Sequence, residues 1–181
     1  ETVLMTAARS GDLDTVERLV AHAADVNAAE HERGQTALMW AVAQRHSEVA
    51  RLLIPHGSDL PARSKVTYQL ENTAGNTNPT GNFQMARGGS TALLFAARNG
   101  DVATARVLID AGADVDDVAA SGTSALVSAA HSGHGAFGIY VLKQGANANA
   151  AEAGYTALHA AVLRGQVELV EALLEHGADP D

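Results

Sequence analysis

Gly154-Tyr155-Thr156-Ala157-Leu158-His159-Ala160-Ala161-Val162-Leu163-Arg164-Gly165, followed by Gln166-Val167-Glu168-Leu169-Val170-Glu171-Ala172-Leu173-Leu174-Glu175-His176-Gly177-Ala178-Asp179, is the stretch that decides the fold. Its opening phrase Thr156-Ala157-Leu158-His159 returns as Thr2-Val3-Leu4-Met5, Thr36-Ala37-Leu38-Met39, Thr91-Ala92-Leu93-Leu94 and Ser124-Ala125-Leu126-Val127. Its closing Gly177-Ala178-Asp179 returns as Ala23-Ala24-Asp25, Gly57-Ser58-Asp59, Gly112-Ala113-Asp114 and Gly145-Ala146-Asn147. Self-similarity at a period in the thirties is the mark of a stacked repeat.

The spacings say which parts of the unit are rigid. From the phrase leucine to the later glycine position the separation is 19 residues in all five copies, whereas from the closing Asp or Asn to the next Thr or Ser it is 11, 32, 10 and 9. A one-residue change inside a packed helix pair would rotate its apolar stripe away from its neighbours, while a surface loop absorbs length cheaply. In the second copy, apolar Leu38, Ala41 and Val42, then Val49, Leu52 and Leu53, recur at helical spacing and predict helices over residues 36–44 and 47–56. The glycine after the second helix suits a left-handed cap. Ala23 in its place predicts a strained residue, costing about 1 kcal/mol.

These phrases resemble the ankyrin family, whose signature runs Gly-x-Thr-Pro-Leu-His-x-Ala-Ala, then a glycine turn, then Val-x-x-Leu-Leu-x-x-Gly-Ala-Asp. The resemblance implies an all-α solenoid of stacked helix-turn-helix units with β-turn fingers. It places repeats at about 1–30, 31–62, 87–118, 119–150 and 151–181 of a single domain, with an insertion at about 63–88. Ala stands for the family's Pro, and Met, Leu or Val for its His outside the last copy, so part of the helix-start hydrogen bonding is missing or supplied differently. The repeated Thr-Ala-Leu phrases resemble bacterial members most.

Composition agrees with that reading. Apolar residues make up 46% of the chain and aromatics 4%, which suits small side chains between close-packed helices better than a β-sandwich. Twelve Lys and Arg against 21 Asp and Glu give a net charge of −9, so a nucleic-acid backbone would be repelled on average, and the basic residues are scattered along the sequence. The absence of cysteine excludes disulfides and thiolate chemistry but leaves the compartment, cytoplasmic or exported, open. Apolar runs such as Ala92–Ala97 fall far short of the roughly 20 residues that cross a bilayer.

The insertion alternates apolar and polar residues from Lys65 to Glu71, turns through an Asn, Thr and Gly-rich stretch at 72–82, and alternates again at Phe83 and Met85. This predicts an extended β-hairpin whose Tyr68, Phe83 and Met85 brace it on the concave face or touch a partner. A small-ligand pocket formed by those three with Trp40 is a further possibility.

No catalytic constellation is visible. Gly133-His134-Gly135-Ala136-Phe137-Gly138 matches the dinucleotide glycine string, but that fingerprint needs a preceding strand, and here the string joins two helices. His131 and His134 lack a third ligand nearby, so neither a metal nor a cofactor is expected. Gly138 stands where the other copies carry Val16, Ala50, Ala105 and Val170, marking a tight contact or a weakened helix. His22, His56 and His176 occupy an exposed helix-end position, and Trp40 and Phe95 read as core filling.

What the resemblance implies about function is binding of a partner protein along the groove of first helices and fingers. The family's variable groove positions fall on Arg9, Gln44, Arg98, Asn99, His131 and Arg164, and its finger positions on Arg33, Gln35, Glu152 and Tyr155. Arg9, Arg98 and His131 share one template position, a mildly basic stripe suited to an acidic peptide. The last copy, with Leu169, Val170, Leu173 and Leu174, is as apolar as an interior repeat, which predicts a longer array or association through uncapped terminal repeats. The rival reading is a docking or regulatory arm of a larger, possibly exported, enzyme or redox assembly.

Overall fold

The computed structural model describes residues 1–72 and 82–181. Among the described residues the helices fall into five successive pairs: α1 (Val3–Ser10) with α2 (Leu13–Ala21), α3 (Ala37–Ala43) with α4 (Ser47–Leu53), α5 (Ala92–Asn99) with α6 (Val102–Asp110), α7 (Ala125–Ser132) with α8 (Gly135–Lys143), and α9 (Ala157–Leu163) with α10 (Val167–Glu175). A 3-10 turn, Ile54–His56, extends α4. First helices stack on first helices and second helices on second helices, giving two parallel rows. The phrase leucines Leu4, Leu38, Leu93, Leu126 and Leu158 are all buried in one continuous core with Leu53, Leu108, Val141 and Leu173. Each buried leucine contributes about 1.5–3 kcal/mol, available only because the neighbouring unit covers it.

Each first helix begins where the sequence supplies a hydroxyl. Thr2, Thr36, Ser124 and Thr156 accept from the amides of Met5, Met39, Val127 and His159 at 3.2, 3.4, 3.2 and 3.4 Å. Such caps contribute roughly 1 kcal/mol each. The reciprocal bond differs between copies as the substituted signature requires. The His159 ring sits 2.8 Å from the Thr156 hydroxyl, the Met5 sulfur accepts from the Thr2 amide at 3.3 Å, and Thr91 makes no side-chain cap. Among the described residues two that are not glycine follow helices in the left-handed region: Ala23 at φ 60°, as expected, and Arg45 at φ 64°.

Polar bridges tie each unit to the next. His46 Nε2 meets the Arg9 carbonyl and His134 Nε2 the Arg98 carbonyl, both at 3.1 Å, while Gln166 donates to Ala130 at 2.6 Å. At the loop end, Asn27 donates to the Gly57 carbonyl and accepts from the Asp59 amide, both at 2.8 Å, and Asn149 does the same with Gly177 and Asp179. Pro61 stands at that place in the second copy and cannot bridge. Gly138 admits the Leu169 side chain, whose Cδ1 would lie 2.8 Å from an added Cβ, so the close-contact reading holds.

The insertion is a lengthened finger. β1 (Thr67–Asn72) pairs antiparallel with β2 (Asn82–Arg87), in register from Thr67↔Arg87 to Asn72↔Asn82. The expected turn at 72–82 falls largely on 73–81, outside the described residues. The hairpin base is knitted between its neighbours: the Lys65 amide donates to the Arg33 carbonyl at 2.7 Å, the Ser64 amide donates to the Ser90 carbonyl and the Gly89 amide to the Ser64 carbonyl, both at 3.0 Å, and the Ala120 amide donates to the Gly88 carbonyl at 3.1 Å. Gly88 has φ 87°, and a Cβ there would sit 2.1 Å from the Lys65 carbonyl oxygen, so only glycine fits. Arg63 clamps this base, donating to the Gly89 and Val118 carbonyls at 2.9 and 2.7 Å and to the Asp117 carboxylate.

Candidate interaction groove

A concave groove of about 690 Å³ is lined by the finger before α3, the hairpin base, the exposed sides of α5 and α7, the finger before α7, and Tyr155 of the last finger. The finger is shaped by Glu30. Its carboxylate accepts from the amides of Arg33 and Glu32 at 2.6 and 2.8 Å, with a longer contact to Gln35 at 3.5 Å. Partial desolvation pushes the Glu30 carboxyl upward, but these backbone donors outweigh it and hold the group below its ordinary range. Arg33 and Gln35 are thereby presented to the groove.

Of the residues singled out from sequence, Arg33, Gln35, Arg98, His131 and Tyr155 line this groove together. The Arg98 guanidinium lies 5.4 Å from the centre of the Phe95 ring, and the His131 and Tyr155 rings stand 6.1 Å apart. Gln35 Oε1 is buried without a hydrogen-bond partner among the described residues. Arg9 lies in the adjoining cleft with Trp40, 5.3 Å above that ring and 3.4 Å from the Glu1 carboxylate, and Arg33 borders both spaces. Trp40 and Phe95 pack against the core, as expected, while an arginine covers each from outside.

Other expected residues stand elsewhere. Gln44 and Arg164 are exposed at the ends of α3 and α9, and Glu152 is exposed on the last finger, none of them lining the groove. The Asn99 amide spends its donors on the carbonyls of Ala43 and Val42 at 2.9 and 3.4 Å, bridging two units. Tyr68 is 69% exposed on one face of the hairpin. Met85 pairs with Gln69 across the strands and so projects from the opposite face, and the Phe83 side chain lies outside the described residues. Neither Tyr68, Met85 nor Trp40 lines the groove, so the described members of that set do not form one pocket.

Lys65 and Arg87, not singled out from the sequence, do line the groove. The cations are scattered along the chain but not in space: Arg33, Lys65, Arg87 and Arg98 share one groove lining, and among the described residues Glu32 is the one acid that joins them there. The recurrent histidines have local roles. His22, His56 and His176 each place Nδ1 2.7–2.8 Å from the carbonyl four residues earlier, closing the last helical turn. The glycine string 133–138 spans the end of α7 and the start of α8, with no strand before it. At the two ends of the stack Val3, Val162, Leu163 and Val167 are exposed. No described helix is long and apolar enough to cross a membrane.

A family model described as ankyrin repeats matches the chain three times, over residues 1–64, 65–151 and 93–181. Such repeats generally mediate protein–protein interaction. Among similar proteins are a mitochondrial disaggregase of Bos taurus, 32% identical over 63% of this chain and 19% of its own length, and the palmitoyltransferase AKR1 of Lachancea kluyveri, 27% identical over 92% and 20%. A probable E3 ubiquitin-protein ligase XBOS33 of Oryza sativa is 30% identical over 96% of this chain and 31% of its own. The chain thus spans less than a third of each relative. All three are eukaryotic and lend no support to a bacterial kinship.

Proposed function

The chain belongs to the ankyrin-repeat family, and on that footing we propose that it is a non-catalytic scaffold holding a segment of a partner protein in the groove between the first helices and the fingers. The observation that carries this reading is one groove of about 690 Å³ between the fingers and the first helices, with five of the sequence-derived contact residues in its wall. Arg98 and Tyr155 offer planar hydrogen bonding and large contact area, the residue types that dominate binding energy. The walls are also pre-formed, since Glu30 fixes the finger and Arg63 the hairpin base, so little ordering entropy is lost on binding.

Selection of a displayed library of random linear peptides against the whole chain tests this. Enriched peptides should lose binding to Arg98→Glu and keep it with Lys143→Glu, a reversal on the exposed outer helix α8. Binding lost with the outer-row variant and kept with the groove variant would place the partner on the other face.

A second reading, a docking arm within a longer enzyme, draws support from relatives whose names are enzymatic and whose lengths exceed the matched part at least threefold. The sequence of the complete gene separates the two.

A further inference from the structure

We infer that the occupant of this groove is an acidic, extended segment of the partner, recognised by Arg33 and Arg98 together with Lys65 of the lengthened finger. The inference rests on the groove being the partner-binding surface and specifies the chemistry of what enters it. A chain of net charge −9 places four of its twelve Lys and Arg in one groove wall, with a single Glu among the described lining residues. Two of the four, Lys65 and Arg87, flank the hairpin, so the local charge depends on the insertion.

Arg33, Lys65 and Arg98 take no part in the ion pairs that Arg9 makes with Glu1, Arg51 with Glu48 and Arg63 with Asp117, and none of the three meets a carboxylate among the described residues. Arg33, Lys65 and Arg98, held on one groove wall without ion-pair partners, repel one another and are relieved by an incoming carboxylate, which forms charge-assisted hydrogen bonds roughly twice as strong as neutral ones. Arg98 is pre-positioned for this, because its guanidinium rests against the Phe95 ring and is not tied up by an acid. Ser121 and Thr123, bonded to each other at 2.9 Å on the facing finger, supply short hydroxyls for the backbone of an extended segment. A nucleic acid fits less well. The Phe95 ring is covered by Arg98, the Tyr155 ring is turned to His131, and no free aromatic platform in the described wall offers itself to stacking bases.

Fluorescence anisotropy with a labelled octapeptide alternating Glu and Ser tests the inference, with its Lys-Ser counterpart and an oligothymidylate of equal charge as comparisons. The acidic peptide should bind, and weaken as salt rises. The doubly reversed Lys65→Glu/Arg98→Glu chain, checked for retained helicity, should bind it at least about tenfold more weakly. Arg18→Glu, an equal reversal on the exposed outer helix α2, should leave it unchanged. The inference is overturned if the Lys-Ser peptide binds as well, if Arg18→Glu weakens binding as much as the groove variant, or if the oligothymidylate binds more tightly. Selected peptides that need Arg98 yet carry no excess of Asp and Glu would overturn the acidic occupant while leaving the groove reading intact. Selected peptides indifferent to Arg98 would remove both.

Discussion

Arg45 closes α3 in the left-handed region at φ 64°, where Gly11, Gly100, Gly133 and Gly165 do the same work in the other copies. A Cβ in that region collides with the flanking carbonyl at a cost of about 1–2 kcal/mol. The side chain recovers none of it: Arg45 is exposed and joins no ion pair among the described residues. Its amide bond to the Val42 carbonyl, 3.0 Å, needs only the backbone. Arg45→Gly therefore relieves the strain, against about 0.4–1 kcal/mol of extra chain entropy in the unfolded state. The net is a gain of about 0.5–1 kcal/mol, or about 1–4 °C in Tm for a chain of this length. Urea melts should show the gain as a higher midpoint at unchanged slope. Arg45→Ala keeps the Cβ and should gain nothing. Equal shifts for the two variants, or a lower Tm for Arg45→Gly, would refute the strain argument.

Three further outcomes follow from the same geometry. Arg63→Ala removes the clamp on the hairpin base. With the side chain 47% exposed and therefore partly screened, it should cost about 1–2 kcal/mol, and it should speed amide exchange at Ser64, Gly89 and Ala120; unchanged exchange there would contradict the clamp. Asp116 accepts from the Asn147 amide at 2.7 Å but, as a carboxylate, cannot donate to the Gly145 carbonyl as Asn27 and Asn149 do to Gly57 and Gly177; Asp116→Asn completes the bridge and should stabilise by about 1 kcal/mol, a prediction that a lower melting temperature would sink. Because the Glu30 carboxyl is held below its ordinary range, its contribution to the finger is complete at neutral pH and is lost only as pH falls through that lowered value, so the Arg33 and Gln35 amide resonances should move with a midpoint below the usual glutamate range, and a midpoint above it would remove Glu30 as the organiser.

The helix pairs were legible because packing tolerates no change in the leucine-to-glycine spacing, and the strained Ala23 because a glycine was missing from a register that four copies share. Arg45 carries the same signal, seven residues after Leu38 where the four other copies place glycine. The groove cations were harder to see. Arg33, Lys65, Arg87 and Arg98 are far apart in the chain, and they meet through lateral bonds between fingers, such as the Lys65 amide to the Arg33 carbonyl, which no periodicity announces. Asn99 shows the converse: its template position faces the cup in the family, yet its short amide reaches the preceding unit's open carbonyls and is consumed there. The hairpin was readable from its alternation, but which faces Tyr68 and Met85 take depends on the Thr67↔Arg87 register, set by Gly88 and Arg63 at the base.

Amide hydrogen exchange of the whole chain, free and saturated with a peptide enriched by display, probes the groove most directly. Binding should protect residues 30–35, 64–67 and 87–90 on the fingers and 94–99 and 128–132 on α5 and α7, leaving the second-helix row unaffected. Protection confined to α2, α4, α6, α8 and α10, with the finger amides exchanging as in the free chain, would contradict the account.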